Sequence, residues 1–408
     1  MSHSEIFDPA KTHFLAVISF LIGITEASLL YVLSSYFAEA IGSDQVGIFY
    51  LIAYSASLVS LFFLRSILKK FGRMRVLIIS FALLVFLSAI LSRIPVSLAG
   101  SALLIGLLFL SGIIWVTIDI IVEAYSADRV SGRIRGLHLT IINVGILFGP
   151  IISTQTLERF GWSGVFSVLV FGFSLILLLL LCFLRKEPAI GIQPITLGIR
   201  SMLRKVLREK DLSRIYLVSF SLEFFFVVMT IYMPMHLREI GMGWSEIGTI
   251  FTVMLIPFVI LQYPLGWIAD KRMGEKELLL IGIGVSCIST VIVGFISTPS
   301  VMLWAGLLFA TRVGAATLEV LRDSYFYKQI DANDLDIISF FRTTRPMANI
   351  FSAVILAPFL VFFPLQSVFF VVSGVFILSF LAGISLHDSA SESERVFVEY
   401  SAEESEVL

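Results

Sequence analysis

Apolar residues run along this chain in long unbroken stretches, and the polar and charged positions gather between them. A helix needs roughly 20 apolar residues to cross a bilayer. By that measure the sequence predicts twelve spans, near 14–37, 46–68, 75–93, 98–122, 138–157, 164–184, 215–237, 247–268, 278–296, 301–322, 346–363 and 366–386. The spans must be helical, because hydrocarbon offers no water to satisfy backbone groups, and the alternating signature of a barrel is absent. The first stretch is too long for a signal-peptide core, is interrupted by Glu26, and follows Glu5 and Asp8 instead of a positive leader. It is therefore read as a span. The predicted class is an all-α polytopic membrane protein with 12 transmembrane helices.

The polar intervals alternate in charge. Every second loop collects basic residues, among them Lys69, Lys70 and Arg73, then Arg129, Arg133 and Arg135, then Lys271, Arg272 and Lys276. With the tails these loops hold 24 Lys and Arg, against three (Arg93, Arg159 and Arg238) in the opposite loops. The bias places both termini in the cytoplasm and fits an even number of spans. The expected location is a plasma membrane of bacterial or archaeal type. The longest basic interval includes a basic amphipathic helix over 196–208, suited to lie at the membrane surface between two halves. The predicted division is a first six-helix bundle over 1–187, a linker over 188–212, a second bundle over 213–388 and an acidic, disordered tail over 389–408.

Composition narrows the function classes. Only 14% of the 408 residues are charged, where soluble domains carry about 25%. A net charge of −1 provides no basic field for nucleic acid. Cys182 and Cys287 lie far apart inside apolar runs and read as buried free thiols. The five histidines lack metal-ligand spacing, and no Gly-Lys dipeptide exists to build a phosphate loop. No metal, cofactor or enzymatic constellation is expected.

An internal repeat organises the spans. Thr117-Ile-Asp119-Ile-Ile-Val-Glu123-Ala-Tyr125 recurs 200 residues later as Thr317-Leu-Glu319-Val-Leu-Arg-Asp323-Ser-Tyr325. Val46-Gly47 before the second span likewise matches Ile247-Gly248 before the eighth. Six spans therefore repeat in parallel, predicting two pseudo-symmetric six-helix bundles and a transport site between the halves.

Two motifs carry a family resemblance. Gly266-Trp-Ile-Ala-Asp270-Lys271-Arg272-Met-Gly274-Glu-Lys276 resembles the cytoplasmic loop signature of the major facilitator superfamily, with one extra residue before Gly274. In the first half, Phe71-Gly72-Arg73 keeps the end of that loop, but Arg65 and Lys69 stand at its usual glycine and aspartate. Gly145-Ile-Leu-Phe-Gly149-Pro150-Ile-Ile-Ser153 resembles the family's exporter-associated glycine-proline motif, with serine in the last place. The resemblance implies the superfamily fold and a latch that forms in one transport state, built from Asp270 with a partner near Arg133 or Arg135. The residues have direct readings too. Gly145 and Gly149 share a helix face and allow close backbone approach. Pro150 removes a donor, so a bend or hinge is expected there.

Ionisable residues at membrane depth cost on the order of 3 kcal/mol each and mark function. Asp119 and Glu123 are four residues apart, on one face with Trp115. Arg312, Glu319 and Asp323 form a stripe on the tenth span, with Arg322 to its side as a snorkelling charge. Glu26 and Glu223 add acids at mid-span in the first and seventh spans. A carboxylate whose partner changes between two conformations can load and release a proton. Asp119, Glu319, Arg312, Glu26, Glu223, Glu123 and Asp323 are thus the expected proton-coupling and cavity residues. The reading is a monomeric secondary transporter of a small organic solute, coupled to protons and working as an exporter by alternating access. An uptake symporter of a sugar, peptide or metabolite uses the same acids, and a lipid-translocating or non-transporting protein can be built on the same fold.

Overall fold

The computed structural model describes residues 9–125, 131–183, 208–269, 275–328, 340–341 and 343–387, and all regular structure among them is helical. In chain order the helices are α1 (Pro9–Leu30), α2 (Leu33–Ile41), α3 (Gly47–Phe71), α4 (Arg73–Leu91), α5 (Leu98–Tyr125) and α6 (Ser131–Phe183). They continue with α7 (Lys210–Glu239), α8 (Trp244–Ile260), α9 (Gln262–Ile268), α10 (Glu275–Val293), α11 (Val301–Lys328), α12 (Thr344–Phe362) and α13 (Val368–Ile384). Ten helical stretches among the described residues are long and apolar enough to cross a membrane. One of them, Thr140–Cys182, is 43 residues long, about twice what a bilayer requires.

Gly161 divides that long stretch. Its φ of 62° and ψ of −163° interrupt helical geometry inside α6. Those angles are in practice open only to glycine. A Cβ built there meets nothing within 4 Å, so the cost of a side chain is conformational alone. Gly161→Ala is expected to lower stability by about 1–3 kcal/mol, read as a fall in the melting midpoint in detergent. An unchanged midpoint would show that the break tolerates a Cβ.

Two other predicted spans are each made of two helices. In the first, the Val32 amide turns to Leu29 O at 3.1 Å, closing a tight turn between α1 and α2. One turn earlier Ser28 Oγ donates to Ile24 O at 2.7 Å, the kind of back-bonding that bends helices. In the eighth, α8 ends at Ile260 and α9 starts at Gln262, with Leu261 N bonded to Pro257 O at 2.9 Å.

The helices cluster into two compact units. Unit 1 comprises Met1–Gln193, Thr230–Thr252 and Ser352–Phe362. Inside it α1 packs along α6, while α5 packs on α3 and α4. The α1–α6 crossing is close because glycine lines both sides. A Cβ on Gly145 would stand 2.4 Å from Phe20 O, one on Gly149 2.3 Å from Ala27 Cβ, and one on Gly23 2.5 Å from Ile142 O. Pro150 follows directly, and its carbonyl accepts from Ser153 Oγ at 3.0 Å and Thr154 Oγ1 at 2.8 Å.

Unit 1 also joins repeat-related positions. The rings of Tyr31 and Phe251 are 5.2 Å apart. Tyr232 Oη lies 3.4 Å from where a Gly47 Cβ would be, and Thr154 Oγ1 crowds the same point on Gly248. Tyr31 and Tyr232, Gly47 and Gly248, and Tyr50 and Phe251 are each 201 residues apart.

Unit 2 comprises Pro194–Met229, Val253–Phe351 and Phe363–Leu408. Within it α10 packs on α11 and α13, and α9 packs on α11. Gly314 lets α11 reach α10, since a Cβ there would lie 2.7 Å from both Gly282 O and Ser286 N.

Candidate functional site

The acids of the seventh and tenth spans meet in unit 2 around one arginine. Arg322 on α11 places Nη2 2.9 Å from Glu223 Oε1 on α7. Its Nη1 donates to Ser219 Oγ at 2.9 Å, and Nε lies 3.4 Å from Asp323 Oδ1. The side chains of Arg322 and Glu223 are both only 11% exposed, against 49% for Asp323. Helical spacing explains the convergence: Ser219 and Glu223 are four residues apart on α7 and present one face. The planar guanidinium has donors enough to serve all three groups at once.

Glu319 sits on α11 three residues before Arg322 and has a different partner. Gln262 Nε2, at the start of α9, donates to Glu319 Oε2 at 2.9 Å. An amide donor supplies a hydrogen bond without a compensating charge. The charges that act on Glu319 are those of Arg322, Glu223 and Asp323. Among the described residues the cluster brings three carboxyl groups to one guanidinium. An excess of acid can be relieved by a proton or by a cationic group on a ligand.

Arg312, two turns before Glu319 on α11, packs against aromatic rings. It is buried, with its guanidinium carbon 4.7 Å from the Phe225 ring centre and 5.7 Å from that of Phe226. A cation over ring faces is stabilised by their negative quadrupoles, more so when desolvated. Phe225 packs on Phe376 of α13 at 5.5 Å, and Phe226 on Phe258 of α8 at 5.8 Å.

In unit 1 the described acid at depth is Glu26 on α1. Trp115 Nε1 on α5 donates to its Oε2 at 2.5 Å. The face of α5 that carries Trp115 thus turns toward α1. The side chains of Asp119, Glu123, Arg133 and Arg135 lie outside the described residues, as does Asp270. Cys182 is exposed and Cys287 half-buried, and both are free. Burial of Cys182 within the protein, expected from its apolar run, is not what the fold gives. In the last turn of α6 it points outward, where a lipid-facing thiol suits its apolar neighbours.

Sequence reasoning places Arg322 at the side of the stripe as a snorkelling charge, whereas the fold puts it at the centre of the acids. The signal available was its spacing: Arg322 is three residues from Glu319 and next to Asp323. Gln262 and Ser219 were missed because neutral polar residues raise no alarm in a hydropathy window. Their partners lie 57 and 103 residues away in the chain.

The sequence matches the family model described as Major Facilitator Superfamily twice, over residues 15–318 and over residues 215–398. Comparison with curated proteins finds no match. Among solved structures, a POT family transporter in complex with 5-aminolevulinic acid superposes with a TM-score of 0.73 at 14% identity, over 91% of this chain and 95% of that one. A POT family transporter in complex with a thioalcohol-conjugated peptide superposes with a TM-score of 0.70 at 16% identity, again over 91% and 95% of the two chains. These likenesses concern the fold.

Proposed function

The chain belongs to the major facilitator superfamily and is an integral membrane transporter, and from that premise we propose that it moves a small organic solute by proton-coupled alternating access, as an exporter. The observation that carries the coupling is the cluster in unit 2, where Glu223, Glu319 and Asp323 share Arg322. A transporter that uses no proton has little need for that excess of acid at membrane depth, where each ionisable group is costly. Glu26 with Trp115 supplies a further carboxyl in the first span. Asp119, Glu123 and Arg312 belong to the same proposed set. Export is supported by the likeness of the Gly145–Gly149–Pro150 stretch to the exporter motif; its glycines bring α6 close to α1, and Pro150 is the proposed hinge.

The proposed architecture is twelve spans in two bundles over 1–187 and 213–388, monomeric, in a plasma membrane with both termini cytoplasmic. Asp270 acts as a latch with Arg133 or Arg135. Asp270→Asn should change the labelling of engineered cysteines on the two membrane faces, and an unchanged pattern would make Asp270 a plain loop charge.

A second reading is uptake by symport of a peptide or metabolite, the solute class to which the ligands of the two structural neighbours, 5-aminolevulinic acid and a modified peptide, belong. One assay separates the two. Proteoliposomes holding the purified chain are given 5-aminolevulinic acid, dipeptides and organic cations, with a proton gradient imposed in either direction. Export by antiport moves solute against the proton flow, and symport moves it with the flow. Glu319→Gln is expected to reduce gradient-driven flux at least about tenfold, a change worth roughly 1.4 kcal/mol, while solute–solute exchange persists. Full coupled flux in that variant would sink the assignment of Glu319, and no response of the wild type to the gradient would sink proton coupling itself.

A further inference from the structure

We propose that the buried hydroxyl of Tyr50 works against closure of the membrane face opposite the basic loops. It has no protein partner while that side is shut and regains water when the side opens, so the closed state does not become a trap. The inference rests on alternating access, as proposed above, and deepens it by naming a residue that sets the balance between the two states.

Unit 1 gathers the span ends that lie away from the basic loops. Thr230–Thr252 of the seventh and eighth spans and Ser352–Phe362 of the eleventh join the first-half helices there. Tyr50 stands in the first turn of α3, inside that assembly. One turn earlier on the same helix face, a Gly47 Cβ would lie 3.4 Å from Tyr232 Oη and 3.6 Å from Ala353 Cα. The phenols of Tyr54 and Tyr232 act on that of Tyr50. Spans two, seven and eleven therefore meet beside Tyr50, and this face is packed shut.

Tyr50 is 2% exposed. Its ring meets Phe37 edge-on at 5.5 Å and stacks with Tyr54 at 6.4 Å. Among the described residues its Oη has no hydrogen-bond partner, and the same holds for Thr252 Oγ1 and Ser352 Oγ in this unit. A serine or threonine in such a place can turn back to its own helix, as Ser57 Oγ does to Ala53 O at 2.9 Å. A tyrosine hydroxyl lies too far along its ring for that, so its relief has to come from another element or from water. A buried hydroxyl without a partner has lost its hydration and gained nothing in return. Opening this side returns the hydration. The hydroxyl thus disfavours the shut state relative to the open one, and two states of near-equal energy are what a substrate can shift.

The test removes the hydroxyl and keeps the ring. Tyr50→Phe is compared with the parent in the full-length chain, with Cys182→Ala and Cys287→Ala so that spin labels attach only at Asp44→Cys and Ser245→Cys. Both labelled positions are exposed and belong to unit 1. Pulsed electron paramagnetic resonance in liposomes reads the distance between them, short when this side is shut and long when it is open. Tyr50→Phe should raise the ratio of short to long distances by about tenfold, the scale of one buried unpaired hydroxyl. Ser352→Ala should move the ratio the same way. Tyr216→Phe should leave it in place, because the Tyr216 hydroxyl is paired with Thr343 Oγ1 at 3.1 Å. If the parent shows the short distance alone, the melting midpoint reads the same quantity, and Tyr50→Phe should raise it. An unchanged or lower short-distance fraction, or in the saturated case an unchanged or lower midpoint, would overturn the inference. That is the result expected of a hydroxyl held by water in the shut state. No solute or gradient is needed, so failure here is distinct from failure of the flux assay.

Discussion

Gly149→Val is expected to force α6 away from α1 and cost the protein more stability than any other single glycine change in unit 1. A Cβ at Gly149 would lie 2.3 Å from Ala27 Cβ and 2.6 Å from Ala27 C. The second of those atoms is backbone, so no rotamer can relieve the clash. Overpacking of a core costs about 1–3 kcal/mol when side chains and local backbone adjust, and here a whole helix has to move. Gly145 repeats the problem one turn earlier against Phe20 O and Ile24 N, at 2.4 and 3.0 Å. Between membrane helices, packing at small residues supplies much of the association energy, because lipid is as apolar as leucine. The loss is therefore not recovered elsewhere. Thermal unfolding in detergent, followed by tryptophan fluorescence, measures it. Gly284→Ala is the control, because nothing stands within 4 Å of a Cβ there. Melting of Gly149→Val at the midpoint of that control would refute the close crossing.

The second large effect is expected at Arg322→Ala. Glu223 is buried against Arg322, both side chains being 11% exposed. Removing one member of a buried pair costs about 3–5 kcal/mol, chiefly because the other charge is stranded. Much of the loss should return in Arg322→Ala combined with Glu223→Gln, which removes the stranded charge along with its partner. Denaturant or thermal midpoints of the two proteins decide the matter. If the double variant is no more stable than the single one, the pair is not what holds α7 to α11.

The hydropathy pattern carries the helices well, because each span is long and the alternative structures are forbidden in lipid. It is silent on the breaks within spans. Nothing in an apolar window marks the turn at Tyr31 and Val32, since the residues on both sides remain apolar and the cause is hydrogen bonding. Gly161 is different. It is a glycine between two runs that together exceed a bilayer, and the sequence reading already places a loop there. The acids were legible because charge is rare in this chain; their partners were not. Trp115 could be placed on a face of α5, but which helix that face meets depends on packing across 89 residues. Arg322 illustrates the same limit. Periodicity sets its angle on α11, and only the neighbouring α7 decides whether that angle points to lipid or to Glu223.

The paired positions in unit 1 have a consequence for the origin of the chain. Tyr31 packs on Phe251 and Tyr232 sits over Gly47, and each of these residues has its counterpart 201 positions away in the other repeat. That is the pattern of a two-fold dimer interface, in which one patch faces a copy of itself. A single ancestral unit of six spans, bearing one tyrosine, one glycine and one further aromatic ring at these places, would already have possessed a self-complementary surface. Duplication and fusion would then have preserved an interface instead of inventing one. A side chain introduced at Gly47 would have to fit beside Tyr232 Oη, 3.4 Å from where its Cβ would stand.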